Sequence, residues 1–107
     1  EAAMAAANLE ATMVPLTVLE RSVEALELAL AVALDGNPNS VSDAGVAAAC
    51  AGAAAEGASL NVRINLDGLE GDVTEIVGRH DAALAKARDL SVWASIAVTT
   101  RMSEPST

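Results

Sequence analysis

Polar positions in the first third of the chain recur at helical intervals. Thr17, Glu20, Arg21, Glu24 and Glu27 fall three and four residues apart, and Leu16, Leu19, Val23, Leu26 and Leu30 occupy positions between them. That spacing predicts an amphipathic helix with a narrow wet face. Ala, Leu, Met and Glu, all strong helix formers, dominate residues 1–35, and Pro15 is the one interruption. Proline lacks an N–H and restricts the residue before it, so a kink or a helix boundary is expected near Met13 and Val14. The phrase Asp35-Gly36-Asn37-Pro38 ends the helix, with Gly at the stop and Pro forbidding continuation. At the other end, Glu1 is neither an initiator Met nor preceded by a capping residue, although Ala2 onward already reads as helix. It reads as a chain entered mid-helix, a fragment or processed product.

A second helix is expected to run to Leu66, with Ser42 as N-cap and Asp43 favoured in the first turn by the helix dipole. It is mostly Ala with glycines at Gly45, Gly52 and Gly57. At 100° per residue Asp43, Cys50, Ala54, Gly57, Asn61 and Asn65 share one face, small and tipped with polar groups, which is read as facing inward. Ala49, Gly52, Glu56, Ser59 and Arg63 run roughly opposite and suit solvent. Side chains this small call for neighbours at short interaxial distance. The third helix starts at Asp67-Gly68-Leu69-Glu70 or at Gly71-Asp72-Val73-Thr74-Glu75, each an acidic cap followed by Glu. Val73, Ile76, Val77, His80, Leu84 and Ala87 form its apolar stripe, with Glu75 and Arg79 paired on the outside. Residues 91–100 have strand propensity through Val92, Trp93, Ile96 and Val98, but a lone strand has no partner in this chain, so helix is preferred.

These elements make an all-α, antiparallel bundle of about three long helices, one domain over residues 1–107 with a flexible tail at 102–107. Of the 107 residues 52% are hydrophobic, but 25 are Ala and Trp93 is the only aromatic. So thin a set of large side chains in so short a chain leaves apolar faces to be covered by an upstream half or a second subunit, giving a dimer or higher homo-oligomer. Fifteen acidic against six basic residues give a net charge of −9, which repels phosphate backbones and anionic membrane surfaces; no nucleic acid or membrane partner is expected. No run of 18 uncharged apolar residues is available to span a bilayer, and no secretory signal is visible. The single Cys50 excludes an internal disulfide and fits a reducing compartment.

Paired-Cys metal spacing, a phosphate-cradling Gly loop and a nucleophile elbow are all missing, and with one His no metal site is expected. His80 on an apolar stripe reads as a satisfied core or interface residue, Cys50 between alanines as a small buried hydrophobe, and Trp93 as a packing anchor. Asn37, Asn39, Ser40, Ser42 and Asp43 are explained largely as a turn-and-cap cluster. Asn61 and Asn65 are not, because mid-helix amides on an inward face need partners; they read as a polar tie between helices or as the lining for a polar ligand. Asp43 and Asn61 lie about 27 Å apart along one helix, so they reach one reacting centre only through an antiparallel neighbour or a second subunit.

Asn37-Pro38-Asn39-Ser40-Val41-Ser42-Asp43-Ala44-Gly45-Val46-Ala47-Ala48, followed by Gly57-Ala58 and Asn61-Val62-Arg63-Ile64-Asn65-Leu66, closely resembles the formiminotetrahydrofolate cyclodeaminase and methenyltetrahydrofolate cyclohydrolase family. The resemblance extends upstream to Ala11-Thr12-Met13-Val14-Pro15-Leu16 and loosely through the last helix. It implies a cytoplasmic, dimeric helical bundle acting on a tetrahydrofolate derivative, without metal or redox cofactor. In the cyclodeaminase an amine of formiminotetrahydrofolate attacks the formimino carbon and ammonia leaves, giving 5,10-methenyltetrahydrofolate. In the cyclohydrolase, water opens that methenyl bridge. Both reactions pass through a tetrahedral carbon between nitrogens and require a proton shuttle. The resemblance places the family's acid/base aspartate in an N-terminal half upstream of the matching residues. Asp43, at the family's Ser-Asp helix start, is the candidate carboxylate here, with Asn37, Ser42, Asn61 and Asn65 as amide and hydroxyl contacts to the substrate. The alternative function is a non-catalytic helical oligomerisation module.

Overall fold

The computed structural model describes residues 1–105. Three helices, α1 (Ala2–Asp35), α2 (Val41–Leu66) and α3 (Thr74–Met102), pack as a bundle in which α2 runs antiparallel to both neighbours. No strand occurs among the described residues, and 91–100 is helix. Met102, the first residue of the expected tail, is the last of α3; Ser106 and Thr107 lie outside the described residues.

Leu16, Leu19, Val23 and Leu26 of α1 are buried as their spacing predicts, and with Ala29, Ala48, Ala55, Ala58, Ala87 and Ala94 they form the main core. Leucine comes from one helix and alanine from the other two, so α2 and α3 sit close to α1 and to each other. At Gly45 and Gly52 an added Cβ would come within 3.0 Å of the Val98 and Ser91 side chains, so these glycines permit the close approach of α2 to α3.

Of the kink or helix boundary expected near Met13 and Val14, the boundary does not occur: α1 runs on through Pro15. The missing Pro15 N–H leaves the Ala11 carbonyl without its helical donor, and Asn65 Nδ2 supplies one from α2 at 2.8 Å. One turn away Asn8 Nδ2 donates to the Gly68 carbonyl at 3.1 Å. The far end of α1 is held by Arg101 of α3, which donates to the carbonyls of Ala33, Leu34 and Gly36 at 2.9–3.0 Å, a cation at the negative pole of the helix.

Two cap and pair expectations are corrected, and one choice between alternatives is resolved. Ser42 is not the N-cap of α2: a 3-10 turn at Pro38–Ser40 leads directly into a helix that starts at Val41. Of the two starts considered for α3, the second is used, with Asp72 Oδ1 accepting from the Thr74 N–H and hydroxyl, after a turn closed by Gly71 at φ +83°. Arg79 does not pair with Glu75 but makes a bidentate contact with Glu20 of α1 at 2.7 and 3.1 Å, a geometry suited to its planar fork.

The bundle is thin. It measures 66 × 19 × 16 Å with a radius of gyration of 17.1 Å, against about 13 Å for a compact domain of this length. Its accessible surface is 6652 Å2, against about 5,500 Å2 for an average monomer of this mass. Large hydrophobic side chains are exposed along it, among them Leu28, Ile64 and Trp93. In α1 an 18-residue window has a mean hydropathy of 1.4 with 17% of it buried, which meets the length and composition measure of a spanning helix although no unbroken uncharged run exists. Core helices of soluble proteins meet the same measure.

Candidate functional site

The two amides singled out by sequence lie on one groove. Between α1 and α2, on the open side of their seam, a cavity of about 350 Å3 is lined by Ala11, Val14, Pro15, Val18, Ala54, Ala58, Asn61 and Asn65. The walls are apolar and the polar groups are the two asparagines. Asn65 gives one N–H to the Ala11 carbonyl, which fixes its side chain and leaves Oδ1 and one N–H available. Asn61, one helical turn earlier, is exposed and makes no side-chain hydrogen bond among the described residues. The face bearing them, expected to point inward, is the open face, because α2 buries Ala48, Ala55 and Val62 on its other side.

Asn37, Ser42 and Asp43 occupy the opposite end of α2. Asn37 Oδ1 accepts from the Asn39 N–H at 2.9 Å and caps the 3-10 turn. Ser42 and Asp43 are exposed in the first turn of α2. Within one chain the structure therefore joins Asn61 to Asn65 and separates both from Asp43 by most of the helix. No ionisable side chain lines the amide groove. It offers a planar polar ligand hydrogen-bond donors and acceptors against an apolar wall, and it offers no proton.

Two polar arrangements escaped the sequence reading. Ser59, assigned to the wet stripe, is 2% exposed, and its hydroxyl lies 2.7 Å from Nε2 of His80, itself 5% exposed. His80 Nδ1 lies 2.9 Å from the Asp81 carboxylate. In the neutral ring that carboxylate fixes the proton on Nδ1, so Nε2 accepts from Ser59. His80 is thus a satisfied core residue, as read. The second arrangement is the α2–α3 groove of about 560 Å3, where Glu56 and Arg88 form a bidentate pair at 2.8 Å beside Ser91 and Ser95. Hydrogen bonds from Arg88 hold the Glu56 carboxyl below its ordinary range, as Arg79 does for Glu20.

Cys50 and Trp93 depart from expectation. Cys50 is exposed, because it lies on the open face of α2. Trp93 is 60% exposed and anchors nothing in the core. Among the described residues no group of three or more His, Cys, Asp or Glu side chains is placed to hold a metal ion.

A family described as Formiminotransferase-cyclodeaminase matches residues 1–79, about three quarters of the chain, including both motif segments and both asparagines of the groove. The match stops in the second turn of α3, short of the looser likeness expected through the last helix. No curated protein and no solved structure matches the chain. A match over this span, containing the amide groove and the Asn-Pro turn, places the chain in the formiminotransferase-cyclodeaminase family.

Proposed function

We propose that the chain works in folate one-carbon chemistry, converting formiminotetrahydrofolate to 5,10-methenyltetrahydrofolate and ammonia as a cyclodeaminase, or opening methenyltetrahydrofolate with water as a cyclohydrolase. The observation that carries the reading is the family match over the segment that builds the amide groove. A pterin-like ring has a flat apolar face and an edge of alternating donors and acceptors. The Val14, Pro15 and Val18 wall suits the face, and the Asn61 amide, with the free half of Asn65, suits the edge. Asn37, Ser42 and Asp43 are assigned to the same substrate from the other end of α2, with Asp43 as a pocket or interface carboxylate and the one candidate this chain offers for moving protons to and from nitrogen. In this reading the enzyme is a cytoplasmic homo-oligomer that needs neither metal nor redox cofactor and has no nucleic acid or membrane partner.

One observation favours the non-catalytic oligomerisation module instead: the groove holds no ionisable group of its own chain. Absorbance at the methenyltetrahydrofolate band separates the readings. A rise on adding formiminotetrahydrofolate is the cyclodeaminase result, and an enzyme-dependent fall with methenyltetrahydrofolate is the cyclohydrolase result. No change with either removes the catalytic reading and leaves the module.

A further inference from the structure

The amide groove continues past Val18. Val18 of α1 and Ala54 of α2 line both that groove and a second cavity of about 510 Å3 further along the same seam, so the two form one channel open to solvent. On α1 the channel runs from Ala11 to Ala25, about 21 Å along the axis. The second cavity differs in its lining. Ala25, Ala47 and Ala51 give it apolar walls, and Arg21 stands at its edge. Among the described residues Arg21 is the one charged side chain that lines either cavity.

Arg21 also differs from the other arginines in what its guanidinium already holds. Arg79 and Arg88 each give Nε and Nη2 to both oxygens of one carboxylate, that of Glu20 or of Glu56. Arg101 spends its two terminal nitrogens on the carbonyls at the end of α1. Arg21 makes a single contact, from Nη1 to Glu24 Oε2 at 2.7 Å. Its Nε and Nη2 keep their N–H groups free, and that edge of the guanidinium is the fork that matches a second planar carboxylate.

We infer that the second cavity takes the tail of the substrate and that Arg21 binds the first carboxylate of that tail, an inference that rests on the folate reading of the amide groove. The lengths agree. From the flat ring of a tetrahydrofolate, through the methylene-amino link and the p-aminobenzoyl amide, to the carboxylate of its first glutamate is about 15 Å by standard bond lengths. From Ala11, whose carbonyl Asn65 reaches, to Arg21 is also about 15 Å along α1. A ring held at the amide end delivers its first carboxylate to the level of Arg21. The benzoyl ring between them lies against Val18 and Ala54, apolar side chains suited to its faces.

The same arrangement sets a limit on the tail. One fork binds one carboxylate. Beyond Arg21 the cavity closes at Ala25 and Ala47, the adjacent charge is Glu24, and no further cation lines the wall. On a chain of net charge −9 each additional glutamate meets repulsion without gaining a partner. Arg21 thus selects a tail of a single glutamate over a tail of none, and the channel gains nothing from a longer one.

Titration calorimetry tests this without reference to turnover, using tetrahydropteroyl carboxamide, which stops before the glutamate, and tetrahydrofolate with one or with five glutamates. Wild type is expected to bind the one-glutamate form about five-fold more tightly than the carboxamide, as for a partly exposed ion pair, and the five-glutamate form no more tightly than the one-glutamate form. Arg21→Gln is expected to abolish the preference over the carboxamide. Lys86→Gln, which removes the same charge from the exposed pair with Glu27 outside the channel, is expected to keep it. Glu24→Gln releases the whole guanidinium and is expected to tighten the one-glutamate form further. Circular dichroism checks that each variant is helical. Equal losses in Arg21→Gln and Lys86→Gln assign the preference to net charge and overturn the role of Arg21, and tighter binding of five glutamates overturns the limit on the tail. Equal binding of all three ligands by wild type overturns the inference and leaves the folate reading standing, whereas binding of none removes both.

Discussion

Asn65→Ala removes the donor that reaches the Ala11 carbonyl at 2.8 Å, the acceptor that Pro15 leaves without its helical N–H. A typical intramolecular hydrogen bond contributes about 0.5–1.5 kcal/mol net, and this carbonyl is open enough for water to replace part of the loss, so a cost of about 1 kcal/mol is expected. For a domain of this size that lowers the melting temperature by roughly 4–8 °C. The tie answers to Pro15, and the dependence is measurable. Pro15→Ala returns an N–H to the same carbonyl and removes a helix-interior proline, which should stabilise the chain by up to about 3 kcal/mol. In that background the Ala11 carbonyl is satisfied from within α1, and Asn65→Ala should cost close to nothing. Urea melts of wild type, both single variants and the double variant, followed by circular dichroism, close the cycle with a coupling energy of about 1 kcal/mol. An equal cost of Asn65→Ala in both backgrounds refutes the reasoning, because Asn65 would then be stabilising something other than the proline gap.

Three further outcomes are expected. The hydrogen bonds from Arg79 hold the Glu20 carboxyl below its ordinary value of about 4.5, so the pair contributes stability above that pH and loses it as pH falls through the depressed value; denaturant midpoints of wild type and Arg79→Gln should differ at pH 6 and converge in acid, and a gap that stays constant to pH 3 contradicts the pairing. Ser59→Ala leaves a buried Nε2 of His80 without its donor and should cost about 1–3 kcal/mol by urea melting, while the exposed Ser42→Ala should cost well under 1 kcal/mol. In a homodimer whose proposed folate site combines Asp43 of one copy with Asn61 of the other, Asp43→Asn and Asn61→Ala chains, each inactive alone, should recover about a quarter of wild-type turnover when unfolded and refolded as an equal mixture, since half the dimers are then mixed and each holds one native site; no recovery removes the pairing of Asp43 with Asn61 in one site.

The helices and their core stripe were legible because they are local. Leu16, Leu19, Val23 and Leu26 are spaced for burial, and α1 buries them. Pairings between helices were less so, although the turns contain the arithmetic. With the first turn centred near Pro38, residues whose numbers sum to 76 face each other across α1 and α2, and Asn8 with Gly68 and Ala11 with Asn65 both obey it. The same count about the second turn matches Ser59 to His80. The parallel pair α1 and α3 keeps a constant offset instead, so Glu20 meets Arg79 and Glu27 meets Lys86 at 3.5 Å, seven residues further along. Composition misled most where Ala fills every face. On such a helix a hydrophobic count cannot tell inside from outside, and Cys50 and Ser59 were each assigned to the wrong side.

That ambiguity has a physical resolution in α2. A helix between two neighbours must bury one line, and Ala48, Ala55 and Val62, seven residues apart, are that line, all under 9% exposed. Alanine there lets Leu19 and Leu26 of α1 approach closely. The line opposite holds Val46, Leu60 and Ile64, the large aliphatic side chains a core would ordinarily claim. A chain that places alanine inside and branched residues outside on the same helix gains little from folding alone. Its larger hydrophobic gain comes from covering the outer line, where Val46 is 63% exposed, Leu60 60% and Ile64 71%.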